Sequence, residues 1–83
     1  MTYRMEIGDE ALAQLRALPR EQRLRIGQRL DALQHGLQGD VKKLSGQTAK
    51  YRLRVGNFRV LFVLDKDLIF IHRVKDRKDA YRD

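Results

Sequence analysis

The sequence contains no cysteine. That absence excludes a disulfide scaffold, a thiolate zinc site and a cysteine nucleophile. Histidine is scarce too, with only His35 and His72. Neither stands at a ligand spacing with the scattered carboxylates, so no metal and no cofactor are expected. No apolar run approaches the length of a membrane span, and no membrane association is expected. The N-terminal Met-Thr-Tyr-Arg-Met-Glu is charged too early for a signal peptide, so the expected setting is a reducing cytoplasm. Proline occurs once, at Pro19, where it separates two helical patterns.

What is present is positive charge, unevenly placed. The 83 residues predict one domain, 1–83, with a formal net charge of +7. Residues 1–41 hold six Lys/Arg and six Asp/Glu, whereas residues 42–83 hold twelve Lys/Arg against five Asp/Glu. The whole excess therefore lies in the second half. A localised basic surface points to a polyanion, most simply nucleic acid. A charged, solubilising surface is the plain alternative.

The hydrophobic pattern predicts an α+β domain. Tyr3–Ile7 alternates weakly and suggests a first strand. Asp9 is placed to cap a helix over 10–18, which Pro19 ends. A second helix is expected over 20–35, with Ile26, Leu30, Leu33 and Leu37 on one stripe, stopped by Gly36 and Gly39. Two helices so closely joined should form an antiparallel hairpin. Residues 38–49 read as a connector. Three strands follow, over 50–55, 58–64 and 68–74, rich in β-branched and aromatic residues. Gly56-Asn57 signals a type II′ turn between the first two, and Asp65-Lys66-Asp67 a turn between the second and third. The expected order is β-α-α-β-β-β. It places a helical hairpin on a small, mostly antiparallel sheet of about four strands.

The two-residue turn fixes a register. Val55 must pair with Phe58, Leu53 with Val60 and Tyr51 with Phe62, and these six apolar residues should face the helices. The opposite face then carries Lys50, Arg52 and Arg54 beside Arg59, Leu61 and Val63. Arg54 falls directly across from Arg59. Like charges so placed destabilise a sheet by roughly 0.2–1 kcal/mol. The cost is reasonable where a phosphate sits between them, because guanidinium donates two parallel hydrogen bonds to it. A wet sheet face with Arg stems covering Leu61 and Val63 is the plain alternative. The tail adds Arg73, Lys75, Arg77, Lys78 and the aromatic Tyr81, whose ring could stack on a base or pack on the sheet end. His35, near a helix end, and His72, between apolar neighbours, read as structural.

The run Tyr51-Arg52-Leu53-Arg54-Val55-Gly56-Asn57-Phe58-Arg59-Val60-Leu61-Phe62 resembles the central strand pair of the RelE/ParE toxin superfamily. Lys43-Leu44-Ser45-Gly46 resembles the segment preceding it. Arg73-Val74-Lys75-Asp76-Arg77-Lys78-Asp79-Ala80-Tyr81 resembles the closing motif of the RelE branch. The resemblance implies the toxin of a type II toxin–antitoxin system. Such a toxin cleaves mRNA in the ribosomal A site by metal-independent attack of the 2′-hydroxyl on phosphate. By position it implies catalytic roles for Arg52, Arg54, Arg59, Arg77 and Tyr81, with Lys50, Arg73, Lys75 and Lys78 binding RNA phosphate. Arg59 resembles the phosphate-stabilising arginine, Arg77 the transition-state or leaving-group arginine, and Tyr81 the base-stacking aromatic. Arg52 and Arg54 stand where the best-studied RelE pattern has lysine, and an arginine makes a poor general base. The implied partners are the ribosome, mRNA and a cognate antitoxin whose acidic segment wraps the domain in a hetero-oligomer. Two other functions share the central motif: a ParE-like gyrase poison acting by binding, and a catalytically weak nucleic-acid-binding homologue.

Overall fold

The computed structural model describes residues 2–44 and 49–76. Strand β1 (Arg4–Ile7) leads into helices α1 (Asp9–Arg16) and α2 (Arg20–Gln34). Strands β2 (Asp40–Lys43), β3 (Lys50–Val55), β4 (Phe58–Asp65) and β5 (Leu68–Asp76) follow. They form a five-stranded sheet in the order β1-β5-β4-β3-β2. β1 lies parallel to β5, and every other pair is antiparallel. No helix is long and apolar enough to cross a membrane among the described residues.

The α+β class and the helical hairpin follow the hydrophobic pattern. The strand count is five rather than about four. The added strand is β2, in the stretch expected to be a connector. Its four residues, Asp-Val-Lys-Lys, include one half-buried apolar side chain and three exposed charged ones. Such a segment carries no alternation signal, and pairing with β3 is what makes it a strand. Two boundaries also differ from expectation. Gly8, not Asp9, is the N-cap of α1, and Asp9 sits in the first turn, where its charge suits the helix dipole. The Gly8 N–H donates to the Ile71 carbonyl at 2.8 Å, and the Leu12 N–H donates to the Gly8 carbonyl at 2.9 Å. A Cβ at Gly8 would lie 2.9 Å from Phe70 Cζ and 3.2 Å from the Ile71 carbonyl oxygen, so a larger residue would have to displace the Phe70 ring. The last turn is Lys66-Asp67, since Asp65 pairs with Leu68 within the ladder.

The core lies between the inner sheet face and the helices. Leu53 and Val55 from β3, Phe58, Val60 and Phe62 from β4, and Ile69, Ile71 and Val74 from β5 meet Ala11, Ile26, Leu30 and Leu33. Leu37, the fourth member of the expected stripe, packs at its margin. Phe62 is fully buried and stacks on Tyr51 with ring centroids 5.4 Å apart. Such a pair adds about 0.5–1.5 kcal/mol beyond its burial. The side chain of Gln14 accepts the Val74 N–H at 2.6 Å, so α1 closes the stretch of β5 that β1 is too short to reach. These contacts hold β3, β4 and β5 as a rigid platform, leaving the opposite face for charge.

Candidate nucleic-acid interface

The observed register puts Val55 opposite Phe58, Leu53 opposite Val60 and Tyr51 opposite Phe62, as expected from the two-residue turn. Gly56 takes a φ of +57° at that turn. Everything on the outer face follows from this register. Arg54 stands opposite Arg59, and Arg59 opposite Lys75 on β5, so three cations run in a row across three strands. The next row holds Arg52, Leu61 and Arg73, and the next Lys50, Val63 and Phe70. Lys42 continues the middle row onto β2, opposite Arg52. The face is thus cationic toward the Gly56 turn, with apolar Leu61, Val63 and Phe70 behind.

The row of like charges is not left without a counter-charge, contrary to the simple expectation. Asp40 on β2 lies opposite Arg54. One of its oxygens is 3.8 Å from Arg54 Nε and the other 3.8 Å from Arg52 Nη1. At that length the attraction is Coulombic and not a hydrogen bond. Asp40 offsets part of the repulsion and leaves the row with a cationic excess. With residues 38–49 read as a connector, this partner was out of view.

Arg52 and Arg54 are alike in sequence and different in place. Arg54 is exposed, whereas Arg52 is only 8% exposed. Among the described residues, Arg52 Nη1 is buried with no hydrogen-bond partner. A buried donor left unmade costs about 1–3 kcal/mol. A phosphate oxygen arriving on this face would supply the missing acceptor. Arg73 turns partly aside, with its Nε 3.5 Å from a Glu10 carboxylate oxygen in the first turn of α1. Lys50 is exposed, and Arg59 and Lys75 are half-buried. The structure therefore gathers Lys50, Arg52, Arg54, Arg59, Arg73 and Lys75 on one face. Arg77, Lys78 and Tyr81 lie outside the described residues. Arg4 is held at the far end of the sheet, where its guanidinium makes two hydrogen bonds to Asp67 at 2.9 and 3.1 Å.

His72 belongs to this face, which its apolar neighbours in sequence did not reveal. The β4–β5 register slips between Leu61 and Phe62: Leu61 pairs with Arg73 and Phe62 with Ile71. His72 is the extra residue of this bulge. Alternation from Phe70 directs it outward, and pairing with Leu61 directs Arg73 outward, so two consecutive side chains share the face. Burial pushes the His72 pKa below the usual imidazole value, and the nearby charges of Arg73, Lys50 and Lys75 push the same way against Glu10. A half-buried imidazole that stays neutral among cations can accept a proton. His35, by contrast, is the exposed C-cap of α2, away from this face.

A β-α-α-β-β-β-β fold with a cationic row across three strands defines a small α+β domain. No family model matches the chain. The chain is 30% identical over 88 residues to toxin RelE1 of Methanocaldococcus jannaschii, a match covering 99% of this chain and 98% of that protein. It superposes on the toxin of the RelB–RelE antitoxin–toxin complex from Methanococcus jannaschii with a TM-score of 0.77 and 30% identity, covering 92% of this chain and 94% of that one. The archaeal RelE–RelB complex from Pyrococcus horikoshii OT3 gives a TM-score of 0.79 and 30% identity, covering 93% and 97%. The chain belongs to the RelE toxin family.

Proposed function

We propose that the protein is the toxin of a type II toxin–antitoxin system and an endoribonuclease that cleaves mRNA in the ribosomal A site. The observation that carries this reading is the cationic row of Arg54, Arg59 and Lys75 with the buried, unsatisfied Arg52 Nη1 beside it. These four side chains come from neighbouring ladder positions, where a bridging phosphate could accept from several guanidinium and ammonium donors.

The chemistry asked of this face is modest in kind. The 2′-oxygen attacks the adjacent phosphorus, and the new P–O2′ bond forms as the P–O5′ bond breaks. A cyclic phosphate and a 5′-hydroxyl result. The passing phosphorane carries extra negative charge. Fixed guanidinium groups stabilise that charge more than the ground state, which is how preorganised electrostatics lowers a barrier. Arg52, Arg54 and Arg59 have this role. Lys50, Arg73, Lys75 and Lys78 hold flanking phosphates, and the family resemblance assigns Arg77 to the leaving group and Tyr81 to base stacking. Arginine cannot deprotonate at neutral pH, so none of these arginines is the base.

The partner that restrains the toxin is proposed to be an antitoxin with an acidic segment, since the toxins of this fold cited above were solved with RelB. An acidic chain would mask the same row. The cytoplasm, where ribosomes and antitoxin meet, is the proposed location, and residues 1–83 act as one toxin domain. The test is induction without antitoxin, followed by mapping of mRNA 5′ ends. Cuts inside translated codons support the reading. DNA-damage signalling with translation initially intact would replace it with gyrase poisoning, and harmless overexpression would replace it with a binding homologue.

A further inference from the structure

The arginines leave the proton on the 2′-hydroxyl without an acceptor, and the bulge in β5 supplies one. We infer that His72 is the general base of the cleavage reaction, taking the 2′-hydroxyl proton while the arginine row holds the phosphate. The inference rests on the ribonuclease reading above.

The geometry is that of the bulge. His72 has no Cα partner on β4, while Arg73 beside it pairs with Leu61. A bulge re-aims a side chain locally and increases the twist. Here it sets an imidazole on the face that carries Arg52, Arg54, Arg59 and Lys75. His72 lies two residues along β5 from Phe70 and three from Lys75, and Lys75 pairs with Arg59. At about 3.3 Å per residue, the imidazole is within about 10 Å of the cationic row along the strand. Arginine and lysine stems span most of that distance.

The surroundings keep the imidazole ready. The charged groups near it are Arg73 and Lys75 of β5, Lys50 of β3 and Glu10 of α1, and β4 presents the apolar Leu61 and Val63 on this face. Burial first, and then three cations against one carboxylate, disfavour imidazolium and favour the uncharged ring. The same cations draw RNA toward it. In the step itself the Nδ1 or Nε2 lone pair takes the 2′-hydroxyl proton. The 2′-oxygen forms its bond to phosphorus, the P–O5′ bond breaks, and the departing 5′-oxygen takes a proton from water. The resulting imidazolium returns its proton to solvent.

The experiment is single-turnover cleavage of mRNA on programmed ribosomes between pH 5 and 8, using wild type, His72→Gln and His35→Gln. In parallel, the His72 ring resonances of the wild type are titrated with and without an RNA carrying a 2′-deoxy scissile nucleotide. Wild-type and His35→Gln rates should rise with pH and level off near neutrality, with the inflection matching the ring titration. His72→Gln should lose that inflection and fall by about 100-fold or more. Added imidazole should restore part of the rate to His72→Ala. A wild type that cuts and a His72→Gln with the same inflection overturn the inference alone. So does a ring whose resonances do not move on RNA binding. A wild type that cuts nothing at any pH overturns the ribonuclease reading and the inference with it.

Discussion

Replacing Asp40 by asparagine is expected to weaken the fold and strengthen RNA binding together. Asp40 pairs across the ladder with Arg54 and lies 3.8 Å from both Arg52 and Arg54. At an effective dielectric of about 20, a unit pair at 4 Å attracts by about 4 kcal/mol. Asp40 has 57% of its side chain exposed and Arg54 has 52%, so solvent screens that pair down to about 0.2–1 kcal/mol. Arg52 has a side chain only 10% exposed and loses more when its counter-charge is removed. Breaking a fully buried pair costs about 3–5 kcal/mol, and with one partner in water we take about 1 kcal/mol here. The sum is about 1–2 kcal/mol, or a Tm lower by roughly 4–16 °C for a domain of this size. Binding moves the other way, because the face then carries one negative charge fewer against a single-stranded RNA. The slope of log K against log salt should steepen by about 0.7. Thermal denaturation and fluorescence anisotropy of a labelled RNA at 50–300 mM salt measure the two effects. An Asp40→Asn variant as stable as wild type, or one that binds RNA more weakly, would refute the assignment of Asp40 as the internal counter-ion of the row.

Three further outcomes are expected. Arg52→Met replaces a buried cation and its unmade hydrogen bond by an apolar side chain of similar length, so denaturant unfolding should show stability unchanged or raised by about 1–4 kcal/mol while RNA binding falls. Phe62→Ala empties a fully buried position and removes the stack on Tyr51, and should cost about 3–5 kcal/mol in the same assay. Stability should fall on acidification below about pH 6.5, because His72 has a lowered pKa in the folded state and the unfolded chain then binds the proton first. His72→Gln should remove that component of the pH dependence, and an unchanged profile would contradict it.

The parts of the fold written in local pattern were legible in the sequence, and those created by pairing were not. A Gly-Asn turn flanked by period-2 strands determines which side chains oppose one another, so Arg54 across from Arg59 follows from spelling alone. The stripe of Ile26, Leu30 and Leu33 likewise names its own buried face. β2 was illegible because one apolar residue in four carries no period, and with it went Asp40, the counter-charge that tempers the row. The difference between Arg52 and Arg54 was hidden for a related reason. Both alternate outward, and only the strand alongside and the packing around Arg52 bury one and expose the other. The place of His72 was not legible because a bulge is a property of two strands in register. Its position within a strand suggested a structural histidine, while the slip at Leu61 and Phe62 sets it on the same face as the cations.

The central claim is that the outer face of the β3–β4 hairpin holds the phosphate at which ribosome-bound mRNA is cut. The most direct test incubates purified protein with programmed ribosomes and maps the 5′ ends of the mRNA, comparing wild type with Arg59→Ala after circular dichroism has shown the two folds to be alike. Wild type should cut within the A-site codon, and Arg59→Ala should react at least about 100-fold more slowly, in keeping with the loss of one preorganised charge at the phosphorane. Equal cleavage by the two proteins would contradict the claim.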